Sequence, residues 1–142
     1  MSAAADFWGE PIYAYTRAQA IEDGQLVDVT GQPDANIAGM PREVGLRYPV
    51  ALTIAAWDRY VEIPKAAPWQ DIAGRLWDVL YMLGQASKRK RGTGACAEIL
   101  FQFMATPNEG RKSAAVLSTL KAVCGPGDDG APVLTIMLPD ED

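Results

Sequence analysis

The 142-residue chain has the length of one domain, and its 49% hydrophobic and 22% charged residues are typical of a globular protein. It contains no histidine, which excludes Ser-His and Cys-His catalysis and histidine-ligated metals. No apolar run is long enough to span a membrane, and residues 1–20 lack the apolar core of a signal peptide. With a net charge of −5 and two cysteines that we interpret as reduced, we expect one cytoplasmic domain over residues 1–142 without membrane association.

The first elements are predicted to be short. Residues 12–15 favour a strand because they are rich in isoleucine and tyrosine. The spacing of Thr16 and Gln19 is that of a capping box, and Gly24 suits the position after a helix end, so a helix is predicted over 16–23. A short strand is predicted over 25–29.

A loop rich in glycine, proline and asparagine follows, with a turn of helix predicted over 38–44. A second helix is predicted to begin at Pro49, because proline fits the first position of a helix. Four apolar residues with helical spacing support it: Val50, Ile54, Trp57 and Val61.

The third helix has the clearest amphipathic pattern in the chain. Proline fits its first position at Pro68, and Asp71 lies in its first turn, where a carboxylate is favoured. Six apolar residues form its core-facing stripe: Trp69, Ile72, Ala73, Leu76, Leu80 and Leu83. This helix is therefore predicted to pack on a core.

The last third of the chain favours strands. Residues 96–105 alternate between apolar and polar side chains, which predicts a half-buried strand. Residues 114–124 fit either a helix or a strand, and we favour the strand because the glycine-rich turn at 125–130 and the β-forming residues 133–138 complete a hairpin. The predicted fold is α+β, an antiparallel sheet with a C-terminal β-hairpin, packed on one face by amphipathic helices.

The most unusual local feature is a run of four adjacent cations at the end of the third helix. Adjacent like charges repel unless a partner neutralises them, so the run is a candidate site for phosphate, an acidic protein surface or nucleic acid. The simpler interpretation is a solvated helix end. Two aromatic residues one helical turn apart are candidates for the same interface. The predicted partner-binding residues are Lys88, Arg89, Lys90, Arg91, Trp77 and Tyr81.

A second candidate site is a small cleft formed by Arg17, Asp28 and Arg47, although ordinary surface ion pairs are the favoured interpretation. The turn at 125–130 lacks the Lys-Ser/Thr of a P-loop and the spaced ligands of a calcium loop. The two cysteines cannot complete a zinc site without further ligands and are interpreted as packing residues. We predict no catalytic residue, no metal and no cofactor.

Three groups of residues resemble the signatures of an uncharacterised bacterial family. They are Tyr15-Thr16-Arg17-Ala18-Gln19-Ala20-Ile21 with Gly24 and Leu26-Val27-Asp28-Val29, then Arg47-Tyr48-Pro49-Val50, and last Leu120-Lys121, Gly125-Pro126-Gly127-Asp128 and Met137-Leu138-Pro139. The loop at 31–39 is longer than the family pattern. The family is found on plasmids, integrative elements and prophages, so the resemblance implies a mobile-element cargo protein without an established activity. Small cargo proteins of this kind are often inhibitors of restriction or CRISPR complexes.

The function predicted is therefore non-enzymatic binding to a bacterial protein complex, with inhibition of host defence as the implied role. One alternative is a small enzyme or nucleotide-binding module with its cleft at Arg17, Asp28 and Arg47. Another is a regulator that contacts nucleic acid through the basic run, which the net negative charge makes less favoured. The sequence leaves the oligomeric state open.

Overall fold

The computed structural model describes residues 15–62, 71–89, 98–105 and 115–141. Its helices are α1 Arg17–Glu22, α2 Ala35–Ala38, α3 Met40–Glu43, α4 Ile54–Tyr60 and α5 Ile72–Arg89. Its strands are β1 Leu26–Asp28, β2 Val50–Thr53, β3 Glu98–Ala105, β4 Val116–Pro126 and β5 Pro132–Met137. None of the helices in these ranges is both long and apolar enough to cross a membrane.

The five strands form one sheet in the order β1-β2-β5-β4-β3. Neighbouring strands are antiparallel except β2 and β5, which run parallel. The predicted α+β class and the C-terminal hairpin, formed by β4 and β5, are confirmed. Residues 116–124 lie in a strand, as favoured over a helix. The parallel pair makes the sheet mixed, which the sequence did not indicate because β2 was assigned to a helix.

The prediction that a helix begins at Pro49 is wrong, since Val50–Thr53 is strand β2. The first three residues of β2 are fully buried between β1 and β5. Burial on both faces of a sheet removes the alternation that distinguishes a strand from a helix in sequence. The helix begins at Ile54 instead, where the Thr53 side chain accepts a hydrogen bond from the Ala56 amide.

The short helix α1 has the predicted capping box. The Thr16 side chain accepts from the Gln19 amide at 3.0 Å, and the Gln19 side chain accepts from the Thr16 amide at 2.9 Å. Gly24 follows with a φ of 80°, a left-handed conformation that favours glycine. The strand predicted over 12–15 lies outside the described residues except for Tyr15, which is not in a strand.

Helices α4 and α5 cover one face of the sheet, here called the inner face. The main core lies between these helices and the sheet. The α5 residues Leu76, Val79, Leu80 and Leu83 are buried there, which confirms the predicted amphipathic stripe. On the sheet side, Tyr60 of α4 contacts Phe103 of β3 edge to face, with ring centroids 5.1 Å apart. The predicted helix start at Pro68 and Trp69 lies outside the described residues.

Candidate functional site

Arg17, the first residue of α1, lies on the opposite face of the sheet, here called the outer face, and its side chain reaches β5. Its guanidinium donates to the Thr135 hydroxyl at 2.6 Å and to the Leu134 carbonyl at 2.9 Å. Partial burial lowers the pKa of Arg17, and the nearby carboxylates of Asp28 and Asp128 oppose that shift. Arg17 therefore connects α1 to β5, which is the geometry of a structural anchor.

Asp128, in the hairpin turn between β4 and β5, holds the start of α1. Its carboxylate accepts from the main-chain amides of Arg17 at 2.7 Å and Ala18 at 3.0 Å. These two donors, with the charge of Arg17, lower the pKa of Asp128. The predicted hairpin turn at 125–130 therefore also caps a helix distant in sequence.

The structure brings together only part of the predicted cleft. Asp28 interacts electrostatically with Arg17, and its carboxylate lies so close to Gly31 that a β-carbon there would clash with it. Arg47 is exposed in the loop before β2, and no hydrogen bond in the described ranges joins it to Arg17 or Asp28. The hollows described next are lined by other residues.

The predicted aromatic pair lies on α5 at the flank of the main core stripe. Trp77 is half-buried against the core, and Tyr81 is 45% exposed. Their rings stack at 6.2 Å with an interplanar angle of 28°. Lys88 and Arg89 are exposed at the end of α5, whereas Lys90 and Arg91 lie outside the described residues.

Two open hollows of about 720 and 540 Å³ lie between α5 and the edge strand β3. They share Asp78, Phe103 and Met104, so we treat them as one continuous feature and call it the edge groove. Residues 100–104 of β3 line it consecutively, which means that the groove follows the backbone of the strand. Three of the predicted partner-binding residues also line it: Trp77, Tyr81 and Arg89.

Sequence reasoning missed the apolar residues on the outer side of this groove. Leu100 is 60% exposed and Met104 is 56% exposed on β3, and Leu117 on β4, directly opposite Met104, is 62% exposed. Leu100 and Met104 alternate with the polar residues Glu98 and Gln102 on the solvent-facing side of β3. Apolar residues at these positions were the signal in the sequence that could have indicated an interaction surface. Contiguous exposed apolar side chains are typical of an interaction surface.

The charged side chains of the groove lie on its helical wall. Partial burial raises the pKa of Asp78, and partial burial lowers the pKa of Arg75. Arg75 donates to the Glu62 carbonyl at 2.9 Å, which ties α5 to the end of α4. Asp78 lies in the first half of α5, one turn after Arg75, and Arg89 lies at the end of the helix.

Comparison with known families gives one result. The model of a family described as a family of unknown function, DUF6573, matches residues 4–142. No curated protein and no solved structure matches the chain.

Proposed function

Since the chain belongs to the DUF6573 family, whose function is unknown, we propose from the geometry that it acts by binding another polypeptide at the edge groove. The observation that carries this proposal is the exposed apolar group formed by Leu100, Met104 and Leu117. Water-exposed apolar surface is stabilised when a partner covers it. Trp77 and Tyr81, on the helical wall, supply aromatic contacts of the kind that dominate protein interfaces.

The mode of binding that the groove favours is addition of a strand to β3. This strand is eight residues long, and every residue pairs with one residue of β4, so no bulge interrupts it. No strand pairs with its other side in the described ranges. Glu98–Ala105 contains no lysine or proline, the residues that usually protect a sheet edge from pairing. An extended polypeptide can therefore bond to its main chain while side chains enter the groove.

The two alternatives have less support in the geometry. An enzyme needs polar and titratable side chains that converge in a concave site, whereas Arg17 bonds to β5 and the groove is lined mainly by apolar residues. A nucleic-acid interface needs a basic surface. In the groove Arg89 is accompanied by the acidic Asp78, and the whole chain is acidic.

The wider role that we propose rests on the resemblance described above. It is that of a non-enzymatic cytoplasmic accessory protein of a mobile element, which binds a bacterial protein complex and inhibits host defence of the restriction or CRISPR type. Binding at a sheet edge supports this role because an inhibitor that adds a strand to its target needs no catalytic residue. A pull-down with the Leu100→Glu variant should lose restriction or CRISPR subunits that the unchanged protein retains.

Photo-crosslinking in cells tests the binding site itself. We expect a photoreactive residue at position 104 to form adducts with a polypeptide, because Met104 lies on the outer side of the groove. The same residue at position 43, an exposed site in α3, is the matched control and should give only background. Equal background at both positions would contradict the proposal. The mass of each adduct distinguishes a second copy of this chain from a different protein.

A further inference from the structure

We propose that the polypeptide added to β3 is the β3 strand of a second copy, paired antiparallel about a two-fold axis that passes between the two Gln102 residues. This inference rests on the proposed function, because it names the partner that occupies the edge groove. It goes beyond that function by fixing the register of the pairing.

The residues around Gln102 form a palindrome in polarity, and over residues 100–104 also in size. An antiparallel two-fold pair places each residue before the axis opposite the residue equally far beyond it. About Gln102, Phe101 lies opposite Phe103, and Leu100 lies opposite Met104, which has nearly the same volume. Ile99 lies opposite Ala105, so every opposed pair is apolar or matched.

The two neighbouring registers do not match in this way, and an axis at Leu100 would pair only residues 98–102 of the strand. A two-fold axis normal to the sheet has to pass between two copies of one residue, so the neighbouring choices are Phe101 and Phe103. An axis at Phe101 places Leu100 opposite Gln102, and an axis at Phe103 places Gln102 opposite Met104. Both choices oppose a polar side chain to an apolar one. The axis at Gln102 also keeps the two Glu98 carboxylates away from each other, at opposite ends of the paired segment.

This register places exposed apolar residues of the two edge strands opposite each other. On the outer face, Met104 of one copy lies opposite Leu100 of the other, with Leu117 on the far side of Met104, and the same row is repeated by symmetry. The two Gln102 side chains meet at the axis, where each amide has both a donor and an acceptor for the other. The pairing therefore removes the edge-facing sides of Leu100 and Met104 from water.

The helical walls of the groove are complementary as well. Because the axis is normal to the sheet, both α5 helices stay on the inner side and run antiparallel to each other. The end of one helix that carries Asp78 then lies toward the end of the other that carries Arg89. The same operation brings Asp78 toward Arg89 of the other copy, while Arg75 on the same wall donates a hydrogen bond to the Glu62 carbonyl within its own chain.

Sedimentation of the full chain over a range of concentrations tests the inference. We expect a reversible dimer, and we expect Gln102→Lys and Gln102→Glu each to weaken it roughly tenfold, because two like charges meet at the axis. Gln102 is exposed in one copy, so the fold should remain. Gln25→Lys, the same change at an exposed site on another part of the chain, is the control and should leave the dimer intact.

A mixture of the two variants is the sharper test of register. Equal amounts of Q102K and Q102E should recover the dimer as a heterodimer, because lysine and glutamate then face each other at the axis. A monomer at all concentrations would overturn the inference, as would a dimer that Gln102→Lys does not weaken or a mixture that fails to pair. If position 104 crosslinks to a different protein while the chain stays monomeric, the inference is wrong and the proposed function stands.

Discussion

Over β1, β2 and β5 the outer face of the sheet is covered by α1 and by the residues that follow β5, whereas over β3 and the start of β4 it exposes apolar side chains. The covered half contains Ala20, Ala51 and Met137, which are buried but lie outside the main core cluster. The open half contains Leu100, Met104 and Leu117, whose side chains are more than half exposed.

Polar contacts close the covered half at its far end. Glu141, beyond β5, accepts from the Thr53 hydroxyl at 2.7 Å and from the Leu138 amide at 2.8 Å. Its carbonyl accepts from the ammonium group of Lys121, a nearly buried lysine of β4. Together with Arg17 and Asp128, these residues use charge to attach α1 and the segment after β5 to the sheet.

The difference shows where the chain uses polar chemistry and where it does not. In the covered half, charged side chains satisfy main-chain groups within the fold, so they are not available to a ligand. In the open half, leucine and methionine occupy exposed positions at which polar side chains are expected. A residue type that looks functional in sequence can therefore be structural, and a residue type that looks structural can form the interaction surface.

The largest expected effect separates the two faces of one strand. Leu120→Ala should lower the free energy of unfolding by about 2–5 kcal/mol, because Leu120 is fully buried on the inner face. Leu117→Ala, the same change on the same strand, should alter it by less than about 0.5 kcal/mol in the monomer. Urea titration measures both. A large loss for Leu117→Ala would show that the open half is covered within one chain.

Two glycines of α5 are expected to respond to alanine substitution with opposite signs, because one is closely packed and the other lines the open groove. Gly84 packs so closely on Val44 that a β-carbon would clash with the Val44 carbonyl, so Gly84→Ala should cost about 1–3 kcal/mol. Gly74 lines the edge groove, and a β-carbon there would meet the Asp71 carboxylate at an ordinary 3.4 Å. Gly74→Ala should therefore stabilise the helix by up to about 1 kcal/mol. Thermal unfolding of both variants checks the opposite signs.

Arg17→Ala tests whether the charged cluster is an anchor. It removes hydrogen bonds to Thr135 and Leu134 and should lower the free energy of unfolding by about 1–2 kcal/mol. Arg47→Ala is the control, because Arg47 is exposed and should contribute almost nothing. If Arg17→Ala left stability unchanged but abolished binding of a small molecule, the cleft interpretation would replace the anchor.

Local signals in the sequence predicted the local structure well. The capping box of Thr16 and Gln19, the stripe of α5 and the alternation of 98–105 each depend on a few neighbouring residues. Strand β2 was missed because its burial depends on β1 and β5, which are distant in sequence. The edge groove was missed for a similar reason, since only the strand order shows that Leu100 lies at an edge of the sheet.

The candidate residues show the same difference between local signals and contacts distant in sequence. Trp77 and Tyr81 were predicted as interface residues from their spacing of one helical turn, and Arg89 from the run of cations, and the structure places all three along the groove. The contact of Arg17 with β5, by contrast, joins residues 118 positions apart. No spacing rule could indicate that the same turn which closes the hairpin also supplies the acceptor for α1.

The smallest expected effect concerns pH and the covered half alone. Hydrogen bonds from two amides lower the pKa of Asp128 from its ordinary value of 3.8, so the folded state favours the ionised carboxylate. A carboxyl group with a lowered folded-state pKa stabilises the fold above its unfolded pKa, and that stabilisation is lost as the pH falls through the folded pKa. Asp128→Asn should therefore reduce stability at neutral pH, and its difference from the unchanged protein should shrink in acid.

Asp140→Asn removes one negative charge from an exposed site and controls for the change in net charge. Thermal unfolding from neutral pH to below the ordinary pKa of aspartate follows both variants against the unchanged protein. A difference for Asp128→Asn that stays constant with pH would show that its carboxylate does not hold α1 in its ionised form. Leu117→Ala, in the open half, removes no ionisable group, so its small effect on stability should stay the same across this pH range.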